Sequence, residues 1–96
     1  MASLIDIIKI LRENKARLKQ NYSVTKIGLF GSYVRGDQSE DSNIDILAEL
    51  EKSPGLEFVD LADELENLLN IKVDLVSRQA IHDRFMKYIE KEIVYV

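Results

Sequence analysis

The stretch LFGSYVRGDQSEDSNIDIL, residues 29–47, sets two glycines, three serines and three aspartates between two apolar runs. Gly31 stands where the first apolar run stops, and Ser32 follows it at once. A glycine there lets the backbone approach a ligand closely, and a short helical turn opened by Tyr33 and Val34 would aim its free amide groups at that ligand. Phosphate is the natural guest, with the Ser32 hydroxyl as a further hydrogen-bond partner and Arg35 as a cation. Further on, Asn43 and Asp45 are two residues apart, so a strand that begins by Asn43 sends both side chains off one face, with Cα atoms about 6.5 to 7 Å apart. Asp74, in IKVDLV, likewise lies opposite an Ile/Val/Leu row. Neighbouring strands run about 4.8 Å apart, so carboxylates at 45 and 74 can share one cation if their strands are adjacent.

Each of these features alone has an ordinary explanation. A Gly-Ser pair ends many strands, and an acid on an open sheet face is usually a solvated polar residue. Together they say more. Like charges side by side destabilise a sheet, and a divalent cation turns that repulsion into attraction. Magnesium suits such oxygen ligands and usually brings substrate phosphates with it.

The elements that must position these residues read clearly from periodicity. From Leu4, the spacing of Ile7, Ile8, Leu11 and Leu18 predicts an amphipathic helix over 3–20, with a break at 21–23. Residues 24–30, VTKIGLF, predict a strand that Gly31 ends. Residues 44–50, IDILAEL, alternate with Ile44, Ile46, Ala48 and Leu50 on one face and Asp45, Leu47 and Glu49 on the other. Ser53, Pro54 and Gly55 punctuate. Phe58, Leu61, Ala62, Leu65, Leu68 and Leu69 then give a helical stripe that Asn70 stops. Residues 71–76 predict a third strand, with Ile71, Val73 and Leu75 on its apolar face. Ser77 caps a helix expected from about Arg78 that turns Ile81, Phe85, Tyr88 and Ile89 inward, and 93–96 add a short terminal strand. The fold class expected is a small α/β domain spanning 1–96, a mixed sheet of three to four strands with helices covering one face.

Composition narrows the function. Ninety-six residues with 46% apolar and 31% charged residues form one globular domain, whose active cleft is shallow or completed by a partner. Cysteine is absent, which leaves carboxylates and one histidine as metal ligands. The formal net charge of −4 argues against long nucleic acid as a partner. No window has the 18 uncharged apolar residues of a membrane span, and no leader precedes the first helix, so a cytoplasmic protein is expected. Lys9, Arg12, Lys15, Arg17 and Lys19 read as a solvated helix face, His82 as a surface or capping residue, and Tyr88 and Tyr95 as core or interface aromatics.

Taken as a series, G-S, three residues to R-G, then S-x-x-D into a strand and a later strand carrying Asp, the sequence resembles the minimal nucleotidyltransferases of the DNA polymerase beta superfamily. Their pattern is G-S-x-x-x-G, then S-D-x-D, then a further Asp. Gly31, Ser32, Arg35 and Gly36 match the first part, Ser42 and Asp45 the second, and Asp74 the third. The resemblance implies a nucleotide-binding set of Gly31, Ser32, Arg35 and Ser42. It also implies a catalytic and metal-binding set at positions 43, 45 and 74 that holds two magnesium ions, with ATP as substrate. By the same resemblance the chain is an antitoxin that forms a hetero-complex with a helical HEPN ribonuclease toxin and transfers AMP to a tyrosine of that toxin.

Position 43 departs from the pattern, with Asn where the family has Asp. An amide oxygen carries no formal charge, and its NH2 half is a donor that a cation repels. One unit-charge pair at about 4 Å and an effective dielectric of about 20 is worth about 4 kcal/mol, so two-metal catalysis should be badly impaired. Asp37 and Asp41 are close in sequence but lie in the loop, where geometry is looser. Two function classes follow: a weakened nucleotidyltransferase, or a non-catalytic module, natural or engineered, that neutralises a toxin by binding alone.

Overall fold

The computed structural model describes residues 3–52 and 55–96, so Ser53 and Pro54 of the expected break lie outside the described residues. Helix α1 (Leu4–Tyr22) starts in a capping box: the Asp6 amide donates to Ser3 Oγ at 3.2 Å, and the Ser3 amide donates back to Asp6 Oδ2. It runs two residues beyond the expected end because Ser23 (φ 59°) supplies a left-handed cap whose amide donates to the Lys19 carbonyl. Strands β1 (Val24–Phe30) and β2 (Ile44–Leu50) have the expected bounds. Helix α3 (Glu57–Leu69) ends at Asn70, also left-handed at φ 56°. Strand β3 (Val73–Ser77) is shifted a little from the expected 71–76.

The sheet order is β3-β2-β1-β4, with β1 and β2 antiparallel and β2 and β3 parallel. A parallel pair needs a long crossover, and α3 supplies it. Helices α1 and α3 bury Ile7, Leu11, Leu18, Leu61, Leu65 and Leu69 against Ile27, Leu29, Ile44, Ile46 and Ala48 on one sheet face. The period-two reading of IDILAEL therefore holds: its Ile row lies in this core.

The second face is covered in its middle and left open at the Asp45 end and at the Lys26/Glu49 end. Ser77 caps a single 3-10 turn (Arg78–Ala80), and the α-helix expected from Arg78 begins only at Asp83. His82 is its N-cap, with Nδ1 accepting from the Arg84 amide at 3.1 Å, as the capping expectation has it. This helix, α4 (Asp83–Glu90), packs Met86 and Ile89 on Leu47. Phe85 and Tyr88, expected to point inward, are 68% and 69% exposed. The expected stripe counted Ile81 as a helical position; with the helix starting only at Asp83, Ile81 lies off it and the pair Met86/Ile89 sets the buried side. Strand β4 (Val94–Tyr95) then pairs antiparallel with β1 at Gly28 and Leu29, leaving Tyr95 44% exposed on an edge. No helix among the described residues is long and apolar enough to cross a membrane.

Ile46 is fully buried at the centre of the main core. Truncating Ile46→Ala should lower unfolding free energy by about 2 to 5 kcal/mol, whereas Phe85→Ala should change it by no more than about 0.5 kcal/mol. Urea denaturation curves measure both, and a comparable loss for Phe85→Ala would mean that α4 presents its other side to the sheet.

Candidate active site

Strand register places the two candidate acids. Asp45 is the Cα partner of Asp74 in the parallel β2/β3 ladder and of Phe30 in the antiparallel β1/β2 ladder. Each Asp lies opposite a row buried under α1 and α3, so both side chains emerge on the second face. Asn43 immediately precedes β2, and the pairing of the Ile44 amide with the Lys72 carbonyl at 2.9 Å holds it beside β3. Its Nδ2 donates to Asp74 Oδ2 at 3.2 Å. The three positions that the sequence singles out at 43, 45 and 74 thus come together.

Burial raises the Asp45 carboxyl above its ordinary value of 3.8, and the negative charge of Asp74 beside it raises it further. Arg35 pulls the other way, and Glu92 adds to the rise. A half-buried carboxylate held against a second one is short of positive charge. The residues present therefore fit a divalent cation, which Asp45 and Asp74 would hold. Among the described residues no three His, Cys, Asp or Glu side chains converge as a metal cluster, and Asn43 supplies only a neutral oxygen.

The Gly31 turn, the expected phosphate cradle, sits directly above Asp45. Gly31 is buried and adopts φ 84° and ψ −155°, a backbone region that side chains disfavour. A Cβ there would lie 2.9 Å from Asp45 Cγ and closer still to Oδ2, so the backbone needs glycine both for its angles and for this approach. Ser32 opens the short helix α2 (Ser32–Arg35), the turn expected at Tyr33 and Val34. Tyr33 is buried in the main core and pins α2 down. Gly36 (φ 84°) closes the turn, with its amide donating to the Ser32 carbonyl at 2.9 Å.

Two candidates are otherwise engaged. The Ser42 hydroxyl accepts from the Ser39 amide at 2.9 Å and shapes the loop between α2 and β2. Arg35 donates through Nε to Asp37 at 3.2 Å and through Nη1 to Glu92 at 3.2 Å. Asp37, which the sequence offers as a spare acid, is thereby taken by Arg35. Asp41 lines a cleft with Tyr33, Ser42 and Asn43, while Gly31, Arg35, Asp45, Phe85, Tyr88 and Glu92 line a second one. Glu92 is the residue that sequence reasoning missed; its one signal is its place just before a terminal strand that pairs with β1.

Residues 7–96 match the family model described as nucleotidyltransferase domain. The chain belongs to that family. Among its relatives, a Methanocaldococcus jannaschii protein provisionally named protein adenylyltransferase MJ1215 is 51% identical over 82 residues, covering 84% of this chain and 95% of the relative. Protein adenylyltransferase MntA of Thermococcus cleftensis is 42% identical over 97 residues, covering 100% of this chain and 98% of the relative. Among solved structures, a toxin-antitoxin with AMP-PNP superposes at a TM-score of 0.70 with 29% identity, over 93% of this chain and 68% of that one. A tri-AMPylated Shewanella oneidensis HEPN toxin in complex with MNT antitoxin superposes at 0.61 with 25% identity, over 95% of this chain and 66% of that one.

The raised Asp45 carboxyl has a consequence for stability. Its folded form holds a proton more tightly than the unfolded chain does, so ionising it costs stability as pH rises through its folded value, and the cost is absent below about 3.8, where both states are protonated. Asp45→Asn should therefore raise the melting temperature at pH 7, with the gain shrinking as pH falls toward 3.8. Thermal melts of both proteins across pH check this; a gain that grows on acidification would reverse the assigned sign.

Proposed function

We propose that this chain is a minimal nucleotidyltransferase acting as an antitoxin, which transfers AMP from ATP with magnesium onto a tyrosine of a helical HEPN toxin, at a rate reduced by Asn43. The observation that carries the reading is the register pairing of Asp45 with Asp74 beneath the Gly31 turn. The adenylyltransferase names of its relatives and the likeness to a tri-AMPylated HEPN toxin complex support the acceptor.

In this reading Asp45 and Asp74 hold the cation, with the Asn43 amide oxygen as a weak third ligand. Magnesium held there would supply charge neutralisation for the phosphates and the acceptor hydroxyl. Ser32, through its hydroxyl, and Arg35, through its guanidinium, hold the triphosphate, while Gly31 lets the chain approach it. The tyrosine oxygen attacks the α-phosphorus and forms a new P–O bond as the bond to the bridging oxygen breaks. Pyrophosphate leaves, and the hydroxyl proton passes to the carboxylate pair. The protein's own contribution is positioning and charge. The cleft is shallow and the chain small, so the toxin surface completes the site.

A specific observation favours the second reading, a binding module without turnover. The Asn43 amide already donates to Asp74, which ties up one cation ligand in the absence of metal. The two readings separate in one assay. With labelled ATP, magnesium and the co-purified HEPN protein, the chain should add AMP slowly, Asn43→Asp should accelerate transfer about tenfold or more, and Asp74→Ala should abolish it. Equal rates for the chain and Asn43→Asp would remove position 43 from the metal site. A melting temperature unmoved by millimolar ATP and magnesium in the complex would leave only the binding module.

A further inference from the structure

Glu92 is placed by strand register rather than by the motifs. Strand β4 pairs Leu29 with Val94 and Gly28 with Tyr95, so two further steps along this antiparallel ladder bring Glu92 level with Gly31. There its Oε2 accepts the Gly31 amide hydrogen, and both carboxylate oxygens receive Arg35 Nη1, at 3.3 and 3.2 Å. The side chain is only 26% exposed. Its backbone is fixed as well, because the Glu92 and Ile93 amides both donate to the carbonyl of Ile89, a buried residue.

An acid on these donors has two readings. It could compete with phosphate, which wants the same groups, or it could hold them in place. The geometry separates the two. Glu92 occupies one guanidinium nitrogen, Asp37 occupies Nε, and the two Nη2 hydrogens of the planar fork remain for another anion. The Gly31 amide and Arg35 hold the carboxylate itself, on a backbone anchored at Ile89. We propose that Glu92 is a positioning residue for nucleotide binding. Its carboxylate locks the Gly31 amide and the Arg35 guanidinium into one arrangement and presents the free Arg35 donors to the phosphates without touching them. This rests on the nucleotidyltransferase reading above. A carboxylate fixed between a backbone amide and a guanidinium spares Arg35 the cost of ordering a long side chain when the nucleotide arrives.

The test is ATP affinity with magnesium, by isothermal titration, for the unsubstituted chain, Glu92→Ala, Glu92→Gln, Arg35→Ala and the Glu92→Ala/Arg35→Ala pair. Glu92→Ala should bind about tenfold more weakly, and Glu92→Gln should fall between, since its amide oxygen still accepts from Gly31 but carries no charge for Arg35. The double variant should lose less than the sum of the two single losses, because both single variants lose the same oriented guanidinium while only Glu92→Ala also frees the Gly31 amide. Melting curves without nucleotide report folding; if Glu92→Ala does not fold, Glu92→Gln against Arg35→Ala carries the comparison. Affinity for Glu92→Ala equal to or tighter than that of the unsubstituted chain would show a competitor instead of a brace. Fully additive losses would show a role unconnected with Arg35. An unsubstituted chain that does not bind ATP would overturn the nucleotidyltransferase reading itself, and this proposal with it.

Discussion

The parallel ladder between β2 and β3 is the constraint from which the site follows. It sets Asp45 level with Asp74, and any shift of one residue would send one of the two acids into the core beneath α1 and α3. The register is held from the other side of the sheet, where Ile44 and Ile46 are fully buried and Val73 and Leu75 pack against the same core. A buried apolar row thus fixes the position of a charged pair that the sheet alone would disfavour. The energy of the core holds together two groups that repel.

The Gly31 turn obeys a matching constraint from above. Its backbone can sit over the Asp45 carboxylate only because no Cβ is present, and its orientation is fixed by the buried ring of Tyr33 below and by Glu92 at the side. Three separate stretches of chain, around residues 31, 45 and 92, therefore meet around one cleft, with hydrogen bonds joining the first and the last. Arg35 lines the same cleft, and its three acidic neighbours, Asp37, Asp45 and Glu92, differ in what they do to it. Asp37 and Glu92 accept its hydrogen bonds, whereas Asp45 acts on it only through charge.

Much of this was legible in residue order because local pattern and global fold agree. IDILAEL reads as a half-buried strand, and the structure places it between its bounds unchanged, since its alternation matches a sheet with one covered face. Gly31, followed by a short helical turn, read correctly for the same reason. Misreadings arise where a tertiary contact decides. The two extra residues of α1 depend on a left-handed Ser23, which no propensity scale favours. The start of α4 depends on His82 outcompeting Ser77 as the cap of the longer helix, and that shift rotates Phe85 and Tyr88 into solvent. Glu92 was invisible because its meaning comes from pairing across more than sixty residues of sequence, which spacing cannot express. An acid at the end of a helix is ordinary on a surface; only the β1/β4 register gives it a partner.

Asn43 can be understood in the same physical terms. A carboxylate at that position would make a third negative charge next to Asp74, with Asp45 already raised by its neighbour. Without a cation such a triad is strained, and folding stability is partly conceded for readiness to bind metal. The amide relieves that repulsion by donating to Asp74, so in the proposed reading the exchange that would weaken cation binding strengthens the fold without a cation. Charge repulsion within the site and affinity for a divalent ion are two sides of one quantity. In the proposed reading Asn43 favours stability over cation affinity, while the sheet register, the glycine turn and the Glu92 contacts are those that an active enzyme would use.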